Sequence, residues 1–158
     1  MKRLRLLQLD DVKLIGDYGH IFKQLRWICW PGFPYKCIPK NFHLENVIAI
    51  DFKHSLLHLV WQGRVVLERL KFLNLSHSKY LIETPDFSGL PSLEQLILKD
   101  CPSLLQVHQS IADLSNIVLI NLKDCTNLIY LPRKVYKLRS LKTLILSGCS
   151  KLRPLEKI

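Results

Sequence analysis

The chain has 158 residues, 48% of them apolar, and 23 Lys and Arg against 13 Asp and Glu give it a formal net charge of +10. This length suits one domain with an ample core, and no apolar run approaches the roughly 18 residues that cross a bilayer. The basic N-terminal tip runs into polar and acidic residues, which argues against a secretion signal. Five cysteines, none in a C-x-x-C pair, favour reduced thiols inside the cell over a disulfide framework.

A motif of the form L-x-x-L-x-L recurs seven times, with first positions 21 to 24 residues apart. This period is typical of leucine-rich-repeat solenoids, in which each coil buries its apolar face against the next coil. The sequence therefore predicts an α/β fold, with one leucine-rich-repeat domain of about seven coils over residues 1–158. We expect it to be a fragment of a larger protein, uncapped at both ends. The apolar triplets are Leu4/Leu7/Leu9, Leu25/Ile28/Trp30, Val47/Ile50/Phe52, Leu70/Leu73/Leu75, Leu93/Leu96/Leu98, Ile117/Ile120/Leu122 and Leu141/Leu144/Leu146.

Within each motif, apolar residues alternate with other residues, which predicts a short strand. Strands of successive coils are expected to pair in parallel and to form a concave sheet. The convex returns carry a second apolar series spaced by three or four residues, which predicts short helices, 3-10 turns or irregular segments. Its members are Leu104, Val107, Ile111 and Leu114 in one return, and Leu128, Leu131, Val135 and Leu138 in the next.

A turn position follows each strand, and five of the seven coils place a serine or a cysteine there. A small polar side chain at this point can hydrogen-bond backbone groups that are shielded from water. The residues at this position are Val12, Phe33, Ser55, Ser78, Cys101, Cys125 and Cys149.

Patterns typical of catalysis or metal binding are incomplete. The three stacked cysteines would lie in a line, whereas zinc requires four converging ligands. His54 and His58 are four residues apart but lack the glutamate of H-E-x-x-H. The sequence has no glycine-rich phosphate loop and no nucleophile elbow. We therefore predict a non-enzymatic segment without a metal or a cofactor.

A basic cluster lies in the last repeats, formed by Arg133, Lys134, Lys137, Arg139 and Lys142. No zinc-finger, helix-turn-helix or RNA-recognition motif accompanies it. We interpret the cluster as a solvated face rather than a nucleic-acid site.

The candidate binding surface is the concave face. Large apolar groups that face water from a sheet indicate a partner, or a neighbouring domain that covers them. Lys53, Lys99 and Lys123 share one strand-end position and form a predicted lysine column, whose charges Asp100 and Asp124 are expected to offset. The outward strand positions are Trp27, Cys29, Ala49, Asp51, Phe72, Asn74, Gln95, Ile97, Leu119, Asn121, Thr143 and Ile145.

Three stretches resemble a known family in the identity of their residues as well as in leucine spacing. They are residues 25–61, which begin LRWICWPGFPYKCIPKNF, residues 70–111, which include LEQLILKDCPSLLQVHQSI, and residues 140–152, SLKTLILSGCSKL. They resemble plant intracellular immune receptors of the TIR–nucleotide-binding–leucine-rich-repeat type. The resemblance implies that NAD and ADP or ATP belong to other domains of such a receptor, and it gives no cofactor to this segment.

The resemblance also implies a function in defence. The repeats would recognise a pathogen effector or a guarded host protein, and would contact the receptor's own nucleotide-binding domain to restrain it. The expected location is the cytoplasm, with the nucleus as a second compartment. The alternative is an extracellular leucine-rich-repeat ectodomain or inhibitor that binds a protein or peptide. Such proteins usually carry an L-x-G-x-[IL]-P phrase and paired capping cysteines, and this sequence has neither.

Overall fold

A computed structural model describes residues 3–14 and 16–153. Seven three-residue strands form one parallel sheet in chain order, which confirms the predicted solenoid. The central residue of each strand is paired with that of the next strand, from Leu7 through to Leu144. The strands are β1 Leu6–Gln8, β2 Trp27–Cys29, β3 Ala49–Asp51, β4 Phe72–Asn74, β5 Gln95–Ile97, β6 Leu119–Asn121 and β7 Thr143–Ile145.

The convex returns differ between the two halves of the solenoid. The first return contains a short helix, α1 (Gly19–Phe22), whereas the fourth, fifth and sixth contain the 3-10 helices Phe87–Gly89, Gln109–Asp113 and Arg133–Lys137. The apolar series predicted for these returns is buried at Leu104, Val107, Ile111, Leu128 and Val135. The described second and third returns contain no helix, so the convex side is regular only from the fourth coil onward.

The core is one continuous apolar cluster, made of leucine and isoleucine in the later coils and of aromatic rings in the second and third. Phe33 and Phe52 stack with their ring centroids 4.4 Å apart. Two aromatic side chains also hold the return of the first coil, because Trp30 Nε1 donates to the Val12 carbonyl at 3.0 Å and the Tyr35 hydroxyl donates to the Leu14 carbonyl at 2.5 Å. The aromatic residues therefore fasten the first return to the second coil.

A left-handed backbone residue follows the strand in every one of the seven coils. In the second to sixth coils, the N–H group of this residue donates a hydrogen bond to a carbonyl of the next coil. Examples are the bonds from His54 to the Ser76 carbonyl and from Asp100 to the Lys123 carbonyl. Five of these residues are not glycine, although the left-handed conformation costs such residues about 1–2 kcal/mol. The column consists of Asp11, Gly32, His54, His77, Asp100, Asp124 and Gly148, with φ between 51° and 81°.

The turn position next to this column behaves as predicted in the coils that carry serine or cysteine. Ser55 Oγ and Ser78 Oγ are 2.7 Å apart, and the thiols of Cys101, Cys125 and Cys149 donate to carbonyl groups of the preceding coil at 3.0 to 3.3 Å. Contact with the Cys125 thiol and burial raise the pKa of the Cys101 thiol. The Cys101 thiol therefore stays neutral and acts as a hydrogen-bond donor inside the solenoid.

The Trp30 indole bond gives a direct test of how the first return is held. Trp30→Phe keeps an aromatic ring in the cluster but removes the donor to the Val12 carbonyl, so we expect the free energy of unfolding to fall by about 1–3 kcal/mol. Urea denaturation measures the change. Trp27→Phe is the matched control, because Trp27 is 48% exposed and makes no such contact. Equal effects of the two substitutions would contradict the role given to the bond.

Two glycines with positive φ separate backbone strain from steric crowding. A Cβ at Gly148 would clash with Asp124, whereas a Cβ at Gly63 would meet no atom within 4 Å. Both alanine variants carry the left-handed penalty of about 1–2 kcal/mol, so Gly148→Ala should lose more stability than Gly63→Ala. Thermal unfolding compares them. A Gly63→Ala variant that is as unstable as Gly148→Ala would show that contact with the neighbouring coil is unimportant.

Candidate protein-binding surface

The strand register places every predicted outward position on two columns of the concave sheet. The first residue of each strand forms one column and the third residue forms the other. The first column consists of Leu6, Trp27, Ala49, Phe72, Gln95, Leu119 and Thr143. The second consists of Gln8, Cys29, Asp51, Asn74, Ile97, Asn121 and Ile145.

The predicted apolar contact residues differ in how far they reach the solvent. Trp27 is 48% exposed, whereas Phe72, Ile97, Leu119 and Ile145 are half-buried. Neighbouring strands lie about 4.8 Å apart, so adjacent side chains in a column shield each other. The concave face therefore presents apolar side chains along its length, with polar residues such as Gln95 between them, and Leu6 and Trp27 are its most exposed apolar members.

Two outward positions are occupied by residues that shape the sheet instead of projecting from it. Ala49 is buried between Trp27 and Phe72 in the register, which leaves a small residue between two aromatic ones. Asn74 is also buried, and its Oδ1 accepts hydrogen bonds from the Ser76 N–H and from Ser76 Oγ at 3.0 and 2.6 Å. The Asn74 side chain is thus committed to the turn that follows its strand.

Asn121 repeats this turn contact two coils later. Its Oδ1 accepts a hydrogen bond from the Lys123 N–H at 3.0 Å, although the residue is less buried than Asn74. Asn74-Leu75-Ser76 also matches the N-x-[ST] pattern of glycosylation sites, but the Asn74 side chain is buried and bonded to Ser76.

The predicted lysine column runs along the end of the strands. Lys53 pairs with Asp51, with its Nζ 3.7 Å from Oδ2, whereas Lys99 is half-buried and Lys123 is exposed. Asp100 contacts His77, since its Oδ2 lies 2.8 Å from His77 Nδ1. The Asp100 carboxylate therefore contacts a histidine of the preceding coil rather than the Lys99 side chain next to it in sequence.

The residues that suggested metal chemistry have other partners. Within residues 3–14 and 16–153 no group of three or more His, Cys, Asp or Glu side chains could hold a metal ion. The imidazole of His54 stacks on that of His77 at 4.7 Å, whereas His58 stacks on Tyr80 at 5.4 Å. The two histidines of the sequence pattern therefore serve separate contacts. All five cysteines are free.

A serine, a histidine and an aspartate that no sequence pattern indicates lie close together on the convex side. Ser110 Oγ lies 2.7 Å from His108 Nδ1, and Asp86 Oδ1 lies 4.0 Å from the same nitrogen. A catalytic triad needs the serine and the carboxylate on opposite ring nitrogens. Here the Ser110 N–H also donates to Nδ1 at 3.1 Å, so His108 caps the 3-10 helix that begins at Gln109.

The carboxylate of this group has a structural role too. Asp86 accepts a hydrogen bond from the Ser88 N–H at 2.9 Å, which lowers the pKa of its carboxyl group. Ser110 Oγ accepts the Phe87 N–H at 2.7 Å and is buried. The three side chains therefore satisfy the ends of successive 3-10 helices.

Comparison with protein-family models gives no match. Among curated proteins, disease resistance protein RML1B of Arabidopsis thaliana is 37% identical over 129 residues, and TMV resistance protein N of Nicotiana glutinosa is 31% identical over 118 residues. Each match covers 75% of this chain, but 13% and 10% of the respective relatives. Disease resistance protein RPV1 of Vitis rotundifolia is 38% identical over 61% of this chain and 7% of its own. The chain thus spans about a tenth of the length of the proteins it matches.

Among solved structures, the leucine-rich-repeat domain of the type III effector XopL matches with a TM-score of 0.65 and 26% identity. The match covers 77% of this chain and 42% of that domain's chain. Within the described residues no helix is long and apolar enough to cross a membrane. The fold and the relatives together indicate a non-catalytic, protein-binding segment. The chain is a leucine-rich-repeat region of the kind found in plant disease resistance proteins.

Proposed function

We propose that this chain is the recognition and autoregulatory surface of a plant immune receptor, and that its concave face binds a pathogen effector or a guarded host protein. The observation that supports the proposal is the apolar surface along the sheet, where Trp27 is 48% exposed and Phe72, Ile97, Leu119 and Ile145 remain partly exposed. Contact residues that dominate binding are often aromatic, and they lie in the middle of such surfaces.

The same face can serve both activation and restraint. In the resting receptor, the nucleotide-binding domain of the parent would cover part of the apolar surface, and a partner would compete for it. Interfaces between domains of one chain resemble transient protein–protein interfaces, so such an exchange is energetically feasible. In the parent, ADP or ATP and NAD would bind in other domains, and the receptor would act in the cytoplasm or the nucleus.

The charge of the concave rim favours an acidic partner. The lysine column carries two lysines, Lys99 and Lys123, for which the structure shows no carboxylate within ion-pair distance among the described residues. Lys71 precedes β4 and so lies at the other end of the strands. Its Nζ is 3.7 Å from Glu94 Oε2, so this lysine is paired. Unpaired surface lysines raise the rate of encounter with an acidic protein, an effect that salt screens.

Substitution of the concave apolar residues tests the proposed surface. In the full receptor, Phe72→Ser and Leu119→Ser should change effector-dependent or resting signalling while leaving the fold intact, because both side chains are partly exposed. Leaf cell-death assays and co-precipitation with the cognate effector measure the effect. Ile82→Ser and Ile129→Ser are matched controls, since these residues are 44% and 40% exposed outside the sheet. Unchanged signalling and binding in both concave variants would exclude this face.

Salt dependence tests the lysine column. We expect Lys99→Gln with Lys123→Gln to slow association with an acidic probe, poly-L-glutamate, and to flatten the dependence of the rate on salt between about 0.05 and 0.3 M. Stopped-flow mixing measures the rate. The control is Lys134→Gln with Lys137→Gln, which removes the same charge from the convex side. Equal loss in the two double variants would assign the effect to net charge and would exclude steering by the column.

A further inference from the structure

An apolar cavity of about 320 Å³ opens on the convex side between the second and third coils. Its floor is formed by buried side chains, which include Ile38, Leu44, Trp61 and Leu67. The cavity lies where the returns have no 3-10 helix to fill the space between coils. Its volume falls within the range of small-molecule sites.

The walls of the cavity are anchored on both sides, so the cavity is preformed. On one side, the Ile38 N–H donates to the Val60 carbonyl at 2.8 Å. On the other, Arg64 donates through Nε to Ser88 Oγ at 3.0 Å and through a second nitrogen to the Ser88 carbonyl at 3.3 Å. The third return is therefore bound to the coil before it and to the coil after it.

Two cations lie at the rim of the cavity, and none of the residues that line it is acidic. Lys40 and Arg64 are both exposed, above the buried floor. The guanidinium group of Arg64 has five N–H donors, so its two bonds to Ser88 hold it in place and leave donors for another acceptor. An apolar floor beneath a rigid cationic rim suits a molecule with an apolar body and a terminal anion.

The floor of the cavity also contains one buried polar atom without a hydrogen-bond partner in the described part of the chain. The indole Nε1 of Trp61 is buried and has no hydrogen-bond acceptor among the described residues. Buried indole N–H groups usually find a partner, because leaving one unpaired is costly. The Trp61 indole therefore lines the cavity without a hydrogen bond to any described residue, and its fluorescence should respond to a molecule that enters.

We propose that this cavity binds a small amphiphilic carboxylate, whose apolar body contacts the floor and whose carboxylate is held by Arg64 and Lys40. The proposal is independent of the concave surface. The small volume favours a small molecule over a peptide, because a peptide segment needs a longer groove along the surface.

The test uses the 158-residue chain and decanoate as the probe, with decanol as its uncharged analogue. Isothermal titration should show one site for decanoate, with decanol bound about tenfold more weakly, since hydrogen bonds to charged groups are the stronger ones. Arg64→Gln should weaken decanoate binding about tenfold and leave decanol binding unchanged. Arg69→Gln is the matched control, because Arg69 is an exposed arginine of the same coil that does not line the cavity.

A second pair of variants locates the site. Val65→Phe fills the cavity from a half-buried wall position and should abolish binding, while Trp61→Phe should remove the quenching of tryptophan fluorescence by a bound ligand. Circular dichroism confirms that each variant is folded. Equal binding of decanoate to Val65→Phe and the parent chain would overturn the site, and equal affinity for decanoate and decanol would overturn the ligand class. An acidic peptide that displaces decanoate from the cavity would assign the site to a peptide and would also overturn the ligand class.

Discussion

One backbone hydrogen bond, donated by the left-handed residue after a strand to a carbonyl of the next coil, sets the geometry of the solenoid. It joins consecutive coils at one fixed point, as between Asp124 and the Ser147 carbonyl, and so holds the strands in register. Non-glycine residues pay for this conformation at about 1–2 kcal/mol each, which the backbone bond and the burial of the adjoining leucines offset. Because the register is fixed, the outward residues fall into straight columns and the lysines share one edge.

The second and third coils fill the core with different residue types from those of the fourth to sixth coils. In the fourth to sixth coils, leucines and 3-10 helices repeat, and Asp86 and Ser110 both accept backbone N–H groups at the start of the helix Phe87–Gly89. In the second and third coils, large rings such as Trp30 and Phe52 take the place of leucines, and the returns are irregular. The regular half supports a continuous concave surface, whereas the irregular half leaves a cavity on the convex side.

The leucine spacing was sufficient to predict the strands, because burial of one side of a strand fixes which residues point outward. It could not predict that Asn74 is buried in its own turn or that Asp100 faces His77, since both depend on backbone turns between repeats. The left-handed column has no sequence signature, because Asp, Gly and His share no pattern. The cavity has none either, because the returns around Trp61 have no apolar period. The contact residues of the concave face stay predictions, as no partner is present to test them.

The in-register columns also bear on how such a surface can change. Each coil contributes one residue to each outward column and one rung to the ladder at the left-handed turn. When a whole coil is lost or duplicated, the coils on either side of the change can therefore form the same hydrogen bonds. Every later side chain then moves by one strand spacing, about 4.8 Å, along the sheet. Unequal recombination between repeats can thus shift the spacing between Trp27 and Leu119 in fixed increments, so that new arrangements of contact residues arise without a new fold.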